Sequence, residues 1–170
     1  MKAKYPKESV TVHTDMVLPG ETNPLNNLFG GELLARIDRC CAITARRHTR
    51  RVCVTASVNH VAFSKPIPLG AVVTVTAKVS RAFNTSLEII ADITVEDRET
   101  GDIMDAGSAI YTFVAVNDMG HPVQIPELIP ETTEEKNRYI AALRRKQLSL
   151  ILAGRLKPEE ATELKALFQV

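Results

Sequence analysis

Residues 31–48 read GELLARIDRCCAITARRH and have the spacing of an amphipathic helix. Apolar or small side chains recur at intervals of three and four residues, at Leu33, Leu34, Ile37, Cys41, Thr44 and Ala45. Charged side chains take the other side, at Glu32, Arg36, Arg39, Arg46 and Arg47. Such a pattern predicts one long helix with a continuous apolar stripe. Ile43 is the exception, since it falls on the polar side.

The segments around this helix alternate in polarity with a period of two, which predicts strands. They cover residues 8–17, a run that begins at residue 51, and residues 70–81, 86–96 and 103–116. The later connections are short, so we expect neighbouring strands to pair antiparallel as a meander.

Two helical signals follow the last strand. Residues 132–135 read TTEE, a capping box, and predict a helix that runs to about residue 153. Pro158 opens a last short helix with Leu164, Leu167 and Phe168 as its apolar edge. The whole chain therefore predicts an α+β fold, in which a five-stranded antiparallel sheet is covered on one face by the long helix.

Composition restricts the class of protein. The chain has 170 residues, 45% hydrophobic content and a formal net charge of +1, which favours one globular domain and argues against a surface built to neutralise nucleic acid. No apolar run is long enough to span a membrane, and no apolar segment follows the N-terminus as in a signal peptide. The three cysteines have neither a disulfide framework nor metal-ligand spacing. We therefore expect a cytoplasmic protein.

Asp38 is the first candidate for chemistry. It lies at the margin of the apolar stripe, and its neighbours at i±3 and i±4 include no basic residue. An unpaired aspartate in mid-helix does not stabilise the helix. It is either a solvated carboxylate, or one paired across an interface, or a catalytic base or nucleophile.

Gly30 and Gly31 are the second candidate, because the free N–H groups at a helix start can stabilise an oxyanion. The alternative is a tight junction between loop and helix. Asp38 lies seven residues beyond Gly31, a rise of roughly 10 Å along the helix axis. One small reacting group cannot easily touch both, so joint action would need two chains and predicts an obligate oligomer.

Three further sets of residues leave alternatives open. Asn23 could orient water or donate to a carbonyl, or it could be an ordinary turn residue before Pro24. The cluster of arginines could bind coenzyme phosphates or form a solvated helix face; it comprises Arg36, Arg39, Arg46, Arg47, Arg50 and Arg51. Cys41 and His48 share one helix face, as buried core residues often do, and no Gly-x-Ser-x-Gly motif supports a serine hydrolase.

The run ETNPLNNLFGGELLARID at residues 21–38 resembles the signature of hotdog-fold acyl-CoA thioesterases of the cytosolic acyl-CoA hydrolase type. Later landmarks agree in the same order: ARRH at 45–48, VTASV at 54–58, FSKPIPLG at 63–70, NTSLEI at 84–89 and VQIPELIPET at 123–132. The resemblance covers roughly residues 8–150. Many members have glycine where this chain has Asn26, a residue type that tolerates a positive φ.

This resemblance implies a hotdog domain at residues 8–130, with the sheet wrapped around the helix, and a C-terminal helical extension at 131–170. It implies an enzyme of fatty acid metabolism that hydrolyses acyl-CoA to CoA and a carboxylic acid, with no metal, no cofactor beyond the CoA of the substrate, and no nucleic-acid or membrane partner. It also implies dimers that assemble as trimers of dimers, a homohexamer. Asp38 would be the base or nucleophile, the Gly31 N–H the oxyanion donor and Asn23 a positioning group, in a site shared by two subunits.

The resemblance also implies a path for the substrate, next to Gly30. Pantetheine would follow Asn59, His60, Val61, Phe63, Thr85 and Ser86, and Lys65, Arg81 or the arginine cluster would bind the CoA phosphates. Two other classes stay open, a non-catalytic acyl-CoA sensor and a hotdog dehydratase. Asp38 favours the hydrolase, and the dehydratase would require a histidine and an acid at the helix start, where this chain has Asn and Gly.

Overall fold

The computed structural model describes residues 1–168. Its strands are β1 (Thr11–Met16), β2 (Val52–Phe63), β3 (Val72–Ala82), β4 (Ser86–Glu96) and β5 (Ile103–Val116), and its α-helices are α1 (Gly30–Thr49), α2 (Thr133–Leu152) and α3 (Thr162–Lys165). Short 3-10 turns occur at Pro6–Glu8, Pro19–Glu21 and Pro158–Glu160. The predicted order of elements is confirmed.

The five strands form one antiparallel sheet in the order β1-β3-β4-β5-β2. The predicted meander holds for β3, β4 and β5 but is wrong for β2, which pairs with β5 and not with β3. The linker after β2 passes the start of α1, where the Leu28 N–H donates to the Ile67 carbonyl at 2.7 Å. Because this linker crosses the start of α1, β2 and β3 lie at separated positions in the sheet.

α1 fills one face of the sheet with the stripe that its spacing predicts. Leu33, Ile37, Cys41, Thr44 and Ala45 are buried, Leu34 is half-buried and Ile43 is exposed. Against them pack the inward side chains of the central strands, including Val73, Val75, Leu87, Ile89 and Ile93. Burial of this continuous apolar surface is the main stabilising term of the fold.

α2 covers the opposite face and is held there by charged side chains. Arg145 donates twice to Glu88 of β4, at 2.7 and 2.9 Å, and Arg138 donates twice to Asp92, at 2.8 and 3.0 Å. The predicted capping box is confirmed, since Thr132 accepts from the Glu135 N–H at 3.1 Å.

α3 has only four residues. Leu164 is half-buried, whereas Leu167 and Phe168 are exposed by 52% and 78%, so the predicted apolar edge does not pack as an edge in this chain. The division of the chain at residue 130 stays a prediction.

β2 is an edge strand of 12 residues with an unusual degree of exposure. Its alternating sequence predicts one buried face, but Val52, Val54 and Val58 are 57%, 48% and 45% exposed. Two irregularities in its pairing with β5 interrupt the alternation. Edges of this kind offer unpaired backbone groups to another strand.

Candidate active site

Asp38 lies on the middle of α1 and faces the edge strand β2. Thr55 Oγ1 donates a hydrogen bond of 2.7 Å to Asp38 Oδ1. Asp38 is half-buried, and no cation within the described residues forms an ion pair with it. Asp38 is therefore partly screened from solvent, and the hydrogen bond from Thr55 orients one of its two oxygens.

The surroundings of Asp38 are apolar and poor in positive charge. Cys41, one helix turn further, is fully buried, and burial raises the pKa of its thiol. Burial, the Cys41 thiol and the Asp38 carboxylate raise the pKa of Tyr111 to about 12, and its hydroxyl donates to the Leu34 carbonyl at 3.3 Å. Both groups are neutral at ordinary pH and bring no charge to the site.

The start of α1 offers two free backbone donors. The N–H groups of Gly30 and Gly31 have no acceptor among the described residues, whereas the Glu32 and Leu33 N–H groups donate to the Phe29 carbonyl. A Cβ on Gly30 would lie 3.4 Å from the ring of Phe63, at the end of β2. At that distance a Cβ would make an ordinary van der Waals contact, so Phe63 lies beside the helix start, where the dipole favours developing negative charge.

The loop that carries Asn23 folds back on itself. Asn23 Oδ1 accepts from the N–H groups of Leu25 and Asn27 at 2.9 and 3.2 Å, and its own N–H donates to the Asn27 carbonyl at 2.8 Å. The Nδ2 group of Asn23 has no partner in the described part of the chain. Asn26 adopts φ +57°, so the turn keeps the left-handed conformation that glycine would supply.

The arginine cluster does not act as one patch. Arg36, expected on the polar side, is only 2% exposed and binds Glu21, so both of its predicted roles, solvated face and coenzyme phosphate ligand, are wrong. Arg47 donates to the Val10 carbonyl. Arg46, Arg50 and Arg51 border a separate cleft of about 230 Å³ at the far end of α1.

The residues proposed for CoA fall into separate places. Asn59 and Ser86 line a cavity of about 130 Å³ beneath α2, on the sheet face opposite Asp38. Arg81 lies on the same side, where it donates to the Tyr139 carbonyl at 3.0 Å and contacts the rings of Phe83 and Tyr139.

The other residues expected to contact the substrate lie along β2 and its linker, except Thr85, which lies just before β4. Val61 packs against the core, His60 is exposed and Phe63 contacts Gly30. The Thr85 carbonyl accepts from the Ala115 N–H.

Lys65 lines a larger cleft of about 490 Å³. Leu25, Asn26 and Asn27 form part of its wall, so this cleft adjoins the Asn23 loop. Its wall also carries Arg98 and two carboxylates, Asp97 and Glu99. It is the described cavity best placed to receive part of a ligand bound at the helix start.

Thr55 is the site residue that the sequence did not single out. Its position within an alternating strand gives no sign of a functional role, and only the packing of α1 against β2 brings it to Asp38. Among residues 1–168, no helix is long and apolar enough to cross a membrane, and no three His, Cys, Asp or Glu side chains are grouped to hold a metal ion.

Comparison with known proteins identifies the family. A model of the thioesterase superfamily matches residues 25–101. An uncharacterized acyl-CoA thioester hydrolase of Bacillus subtilis is 38% identical over 144 residues, which cover 85% of this chain and 84% of that protein. This chain belongs to the family of acyl-CoA thioester hydrolases. The predicted family, enzyme class and hotdog fold are confirmed.

Solved structures of thioester hydrolases have the same fold. A hexameric acyl-CoA thioesterase aligns with a TM-score of 0.86 and 33% identity over 90% of this chain and 98% of that one. An acyl-CoA hydrolase of Staphylococcus aureus, solved with butyryl coenzyme A, coenzyme A and coenzyme A disulfide, aligns with a TM-score of 0.81 and 35% identity over 98% and 99% of the two chains.

Structures of the Staphylococcus hydrolase also include three variants, in each of which one residue is replaced by alanine. The substituted residues are an aspartate, a threonine and an asparagine, and the variants align with TM-scores of 0.84, 0.83 and 0.83. In that protein the aspartate follows the asparagine by fifteen residues, and the threonine follows the aspartate by seventeen.

Proposed function

We propose that the protein hydrolyses acyl-CoA thioesters to CoA and a carboxylic acid, with Asp38 as general base or nucleophile. The observation that carries the proposal is the 2.7 Å hydrogen bond from Thr55 to Asp38 Oδ1. It fixes the carboxylate and leaves Oδ2 without a donor in the described residues. That oxygen is available to the substrate or to water.

The chemistry is modest, because a thioester carbonyl is already activated. As a base, Asp38 takes a proton from water while the water oxygen attacks the carbonyl carbon; as a nucleophile, Oδ2 attacks that carbon itself. In either case the C–S bond then breaks and CoA leaves as the thiol. On the nucleophilic path the acyl group stays on Asp38 as a mixed anhydride, which water then hydrolyses to the carboxylic acid and the free carboxylate. One carboxylate with one or two preorganised donors is sufficient, so we propose that no metal ion takes part.

The Gly31 N–H is proposed as the donor to the oxyanion, from a second copy of the chain. Asp38 and Gly31 of one chain are too far apart, roughly 10 Å along the helix. If two copies of β2 pair antiparallel along their open edges, the Thr55 end of one strand lies beside the Phe63 end of the other. Since Phe63 lies beside Gly30 and Thr55 binds Asp38, this pairing would bring one chain's helix start towards the other chain's carboxylate.

Asn23 is proposed as a second donor. Its Oδ1 is occupied by two backbone N–H groups of the loop, so only the Nδ2 group can reach a carbonyl oxygen or a water molecule. The loop thus determines which end of the amide faces the substrate. Asn23 and Gly31 belong to one chain and together form the donor half of the site.

The spacing of these residues supports the assignment. Asn23, Asp38 and Thr55 are separated by fifteen and seventeen residues, as are the three positions replaced by alanine in the Staphylococcus hydrolase. Residue types and intervals agree at all three positions. The hexameric state of a solved relative likewise supports an assembly that contains shared sites.

We propose that the cleft that contains Lys65 receives the phosphate end of the substrate. It adjoins the Asn23 loop, and Lys65 and Arg98 line it beside the carboxylates of Asp97 and Glu99, so Lys65 is the cation proposed to bind the phosphates while Arg98 pairs with Glu99 at 3.5 Å. Arg81 is a weaker choice because its guanidinium already binds α2. The path past Asn59 and Ser86 would require the pantetheine arm to reach the opposite face of the sheet.

The first test is release of free CoA thiol from acyl-CoAs of two to sixteen carbons. Asp38→Ala is expected to lower kcat by about 10²–10⁴-fold, and Asp118→Ala, at an exposed aspartate far from α1's centre, is the matched control. EDTA is expected to leave kcat unchanged. If the wild type binds CoA but hydrolyses none of the substrates, the chain acts as a sensor and the proposal is wrong.

The second test addresses the shared site. Gly31→Pro removes the N–H in the first helical turn, where proline is tolerated. Inactive Asp38→Ala and Gly31→Pro chains are unfolded together and refolded as a mixture. A shared site predicts recovery to about one quarter of wild-type activity, because half of the dimers are mixed and each has one intact site. A mixture that stays inactive, although it forms dimers, would show that each chain has its own site.

A further inference from the structure

Arg36 is a buried charge on the helix of the proposed site. It lies two residues before Asp38, and its side chain is only 2% exposed. Its Nη2 group donates to Glu21 Oε2 at 2.6 Å and to the Met16 carbonyl at 3.1 Å. Its Nη1 group has no partner in the described residues. Removal of a guanidinium from water is costly, and the pairing with Glu21, together with a longer ion pair of 3.8 Å from Nη2 to Asp15 Oδ2, offsets part of that cost.

Glu21 lies two residues before Asn23 and joins three parts of the chain. The oxygen that binds Arg36 also accepts from the Leu18 N–H at 2.8 Å. The backbone carbonyl of Glu21 accepts from the N–H of Phe29, the residue before α1, at 2.8 Å. The hydrogen bond from Arg36 holds the pKa of Glu21 below its ordinary value, so the carboxylate is charged. Glu21 thus connects both ends of the Asn23 loop to the helix.

The loop has little apolar surface that could hold it instead. Leu25 and Phe29 are 79% and 56% exposed, and Leu28 is the large apolar side chain of the loop that is buried. The stabilisation gained from packing is proportional to the apolar area that is buried, so most of the loop gains little from packing. Directional polar contacts must therefore fix its position.

We propose that the Glu21–Arg36 pair is a positioning device for the reaction, which keeps the Asn23 amide in a fixed relation to α1 and so to the Gly31 N–H at its start. The inference rests on the proposed function. A buried ion pair adds little net stability compared with apolar side chains, but a charged hydrogen bond fixes direction and distance. Glu21 and Arg36 do not touch the substrate in this scheme; they act through Asn23.

The test compares two arginine pairs of the same chain. Arg36→Gln removes the guanidinium from Glu21, and the matched control Arg145→Gln removes the one that binds Glu88 on the other sheet face. Misplacement of a positioned group by about 1 Å can cost up to about 100-fold in rate. Arg36→Gln is expected to lower kcat about 10- to 100-fold with little change in KM, while Arg145→Gln lowers Tm but retains kcat.

Two milder variants keep the test decisive if Arg36→Gln does not fold. Arg36→Lys retains the charge but lacks the planar fork, so it is expected to recover part of kcat. Glu21→Gln keeps the size of the side chain and is expected to lower kcat about tenfold. In the Asn23→Ala background, Glu21→Gln should have no further effect on kcat, because a group that acts through Asn23 has nothing left to position.

The outcomes separate the two proposals. If wild-type turnover is absent or survives Asp38→Ala, the proposed function fails. If turnover depends on Asp38 but Arg36→Lys and Glu21→Gln leave kcat at the wild-type value, the positioning inference alone is wrong. Equal losses from Glu21→Gln with and without Asn23 would also overturn it, since they would show action by another route.

Discussion

α1 and α2 each have 20 residues and pack on opposite faces of one sheet, yet they are held there by different forces. α1 buries nine residues, most of them apolar or small, whereas α2 buries only Ala142. Charged contacts from Arg138 and Arg145 attach α2 to β4. The first helix is part of the core and carries the proposed catalytic carboxylate. The second is a polar cover, and its loss should leave the core intact.

The largest contrast is expected from one pair of truncations. Ile37→Ala on α1 removes a fully buried side chain and should lower the free energy of unfolding by about 3–4 kcal/mol, because it leaves a cavity in the core. Ile140→Ala on α2 removes a side chain that is 43% exposed and should cost less than about 1 kcal/mol. Urea denaturation of both variants measures the difference. Equal losses would show that α2 belongs to the core.

The next largest effect tests whether charge holds α2. Arg145→Gln leaves the buried Glu88 carboxylate with only the Ser80 hydroxyl, which should cost about 2 kcal/mol. In the double variant Glu88→Gln and Arg145→Gln, the unpaired buried charge is gone, and stability should be no lower than in the single variant. A double variant that is clearly less stable than Arg145→Gln would argue against this account of the pair.

A smaller effect is expected at the start of α2. Thr132→Ala removes the side chain that accepts from the Glu135 N–H and should destabilise the protein by about 1 kcal/mol. Thr133→Ala, one residue further and inside the helix, is the matched control and should change thermal stability much less. If both variants have the same Tm, the hydrogen bond from the Glu135 N–H to Thr132 does not contribute to the stability of the protein.

The smallest effect at neutral pH concerns a titratable group of α1. His48 is fully buried, its Nε2 lies 2.9 Å from the Pro126 carbonyl, and burial lowers its pKa below the ordinary 6.5. The unfolded chain takes up the proton near pH 6.5 while the folded chain resists it, so stability falls as the pH drops below about 6.5. His48→Gln should flatten the change of Tm between pH 7.5 and 5.5. If the variant's Tm changes with pH as much as that of the wild type, a group other than His48 causes the loss of stability in acid.

Local patterns predicted the elements well because each pattern reports one physical constraint. The bounds of β4 and β5 agree with the alternating runs, and the cap at Thr132 agrees with its motif. The order of strands was partly wrong, since alternation says which face is buried and not which strand lies beside it. β2 shows this most clearly, because its linker carries the chain across the helix start before β3 begins.

The candidate site was predictable where one residue stands out along its own helix or loop. Asp38 and Gly31 are of this kind, whereas Thr55 required the contact between α1 and β2. Arg36 is instructive: it lies three residues after Leu33 and four before Cys40, both buried, so the helical spacing already placed it towards the interior. Its charge led to the opposite expectation, because the partner that compensates it lies fifteen residues earlier in the chain.

Because the edge of β2 is open, the stability and activity of the protein should depend on its concentration. A single chain presents three exposed valines and a row of unpaired backbone groups along this edge, which is a surface prone to aggregation. Pairing of two edges removes that hazard and, in the proposed scheme, completes the catalytic site in the same event. Specific activity should therefore fall on dilution below the dissociation constant, in step with loss of the dimer in sedimentation. Assembly would then act as quality control, since only chains that have found a partner would turn over substrate.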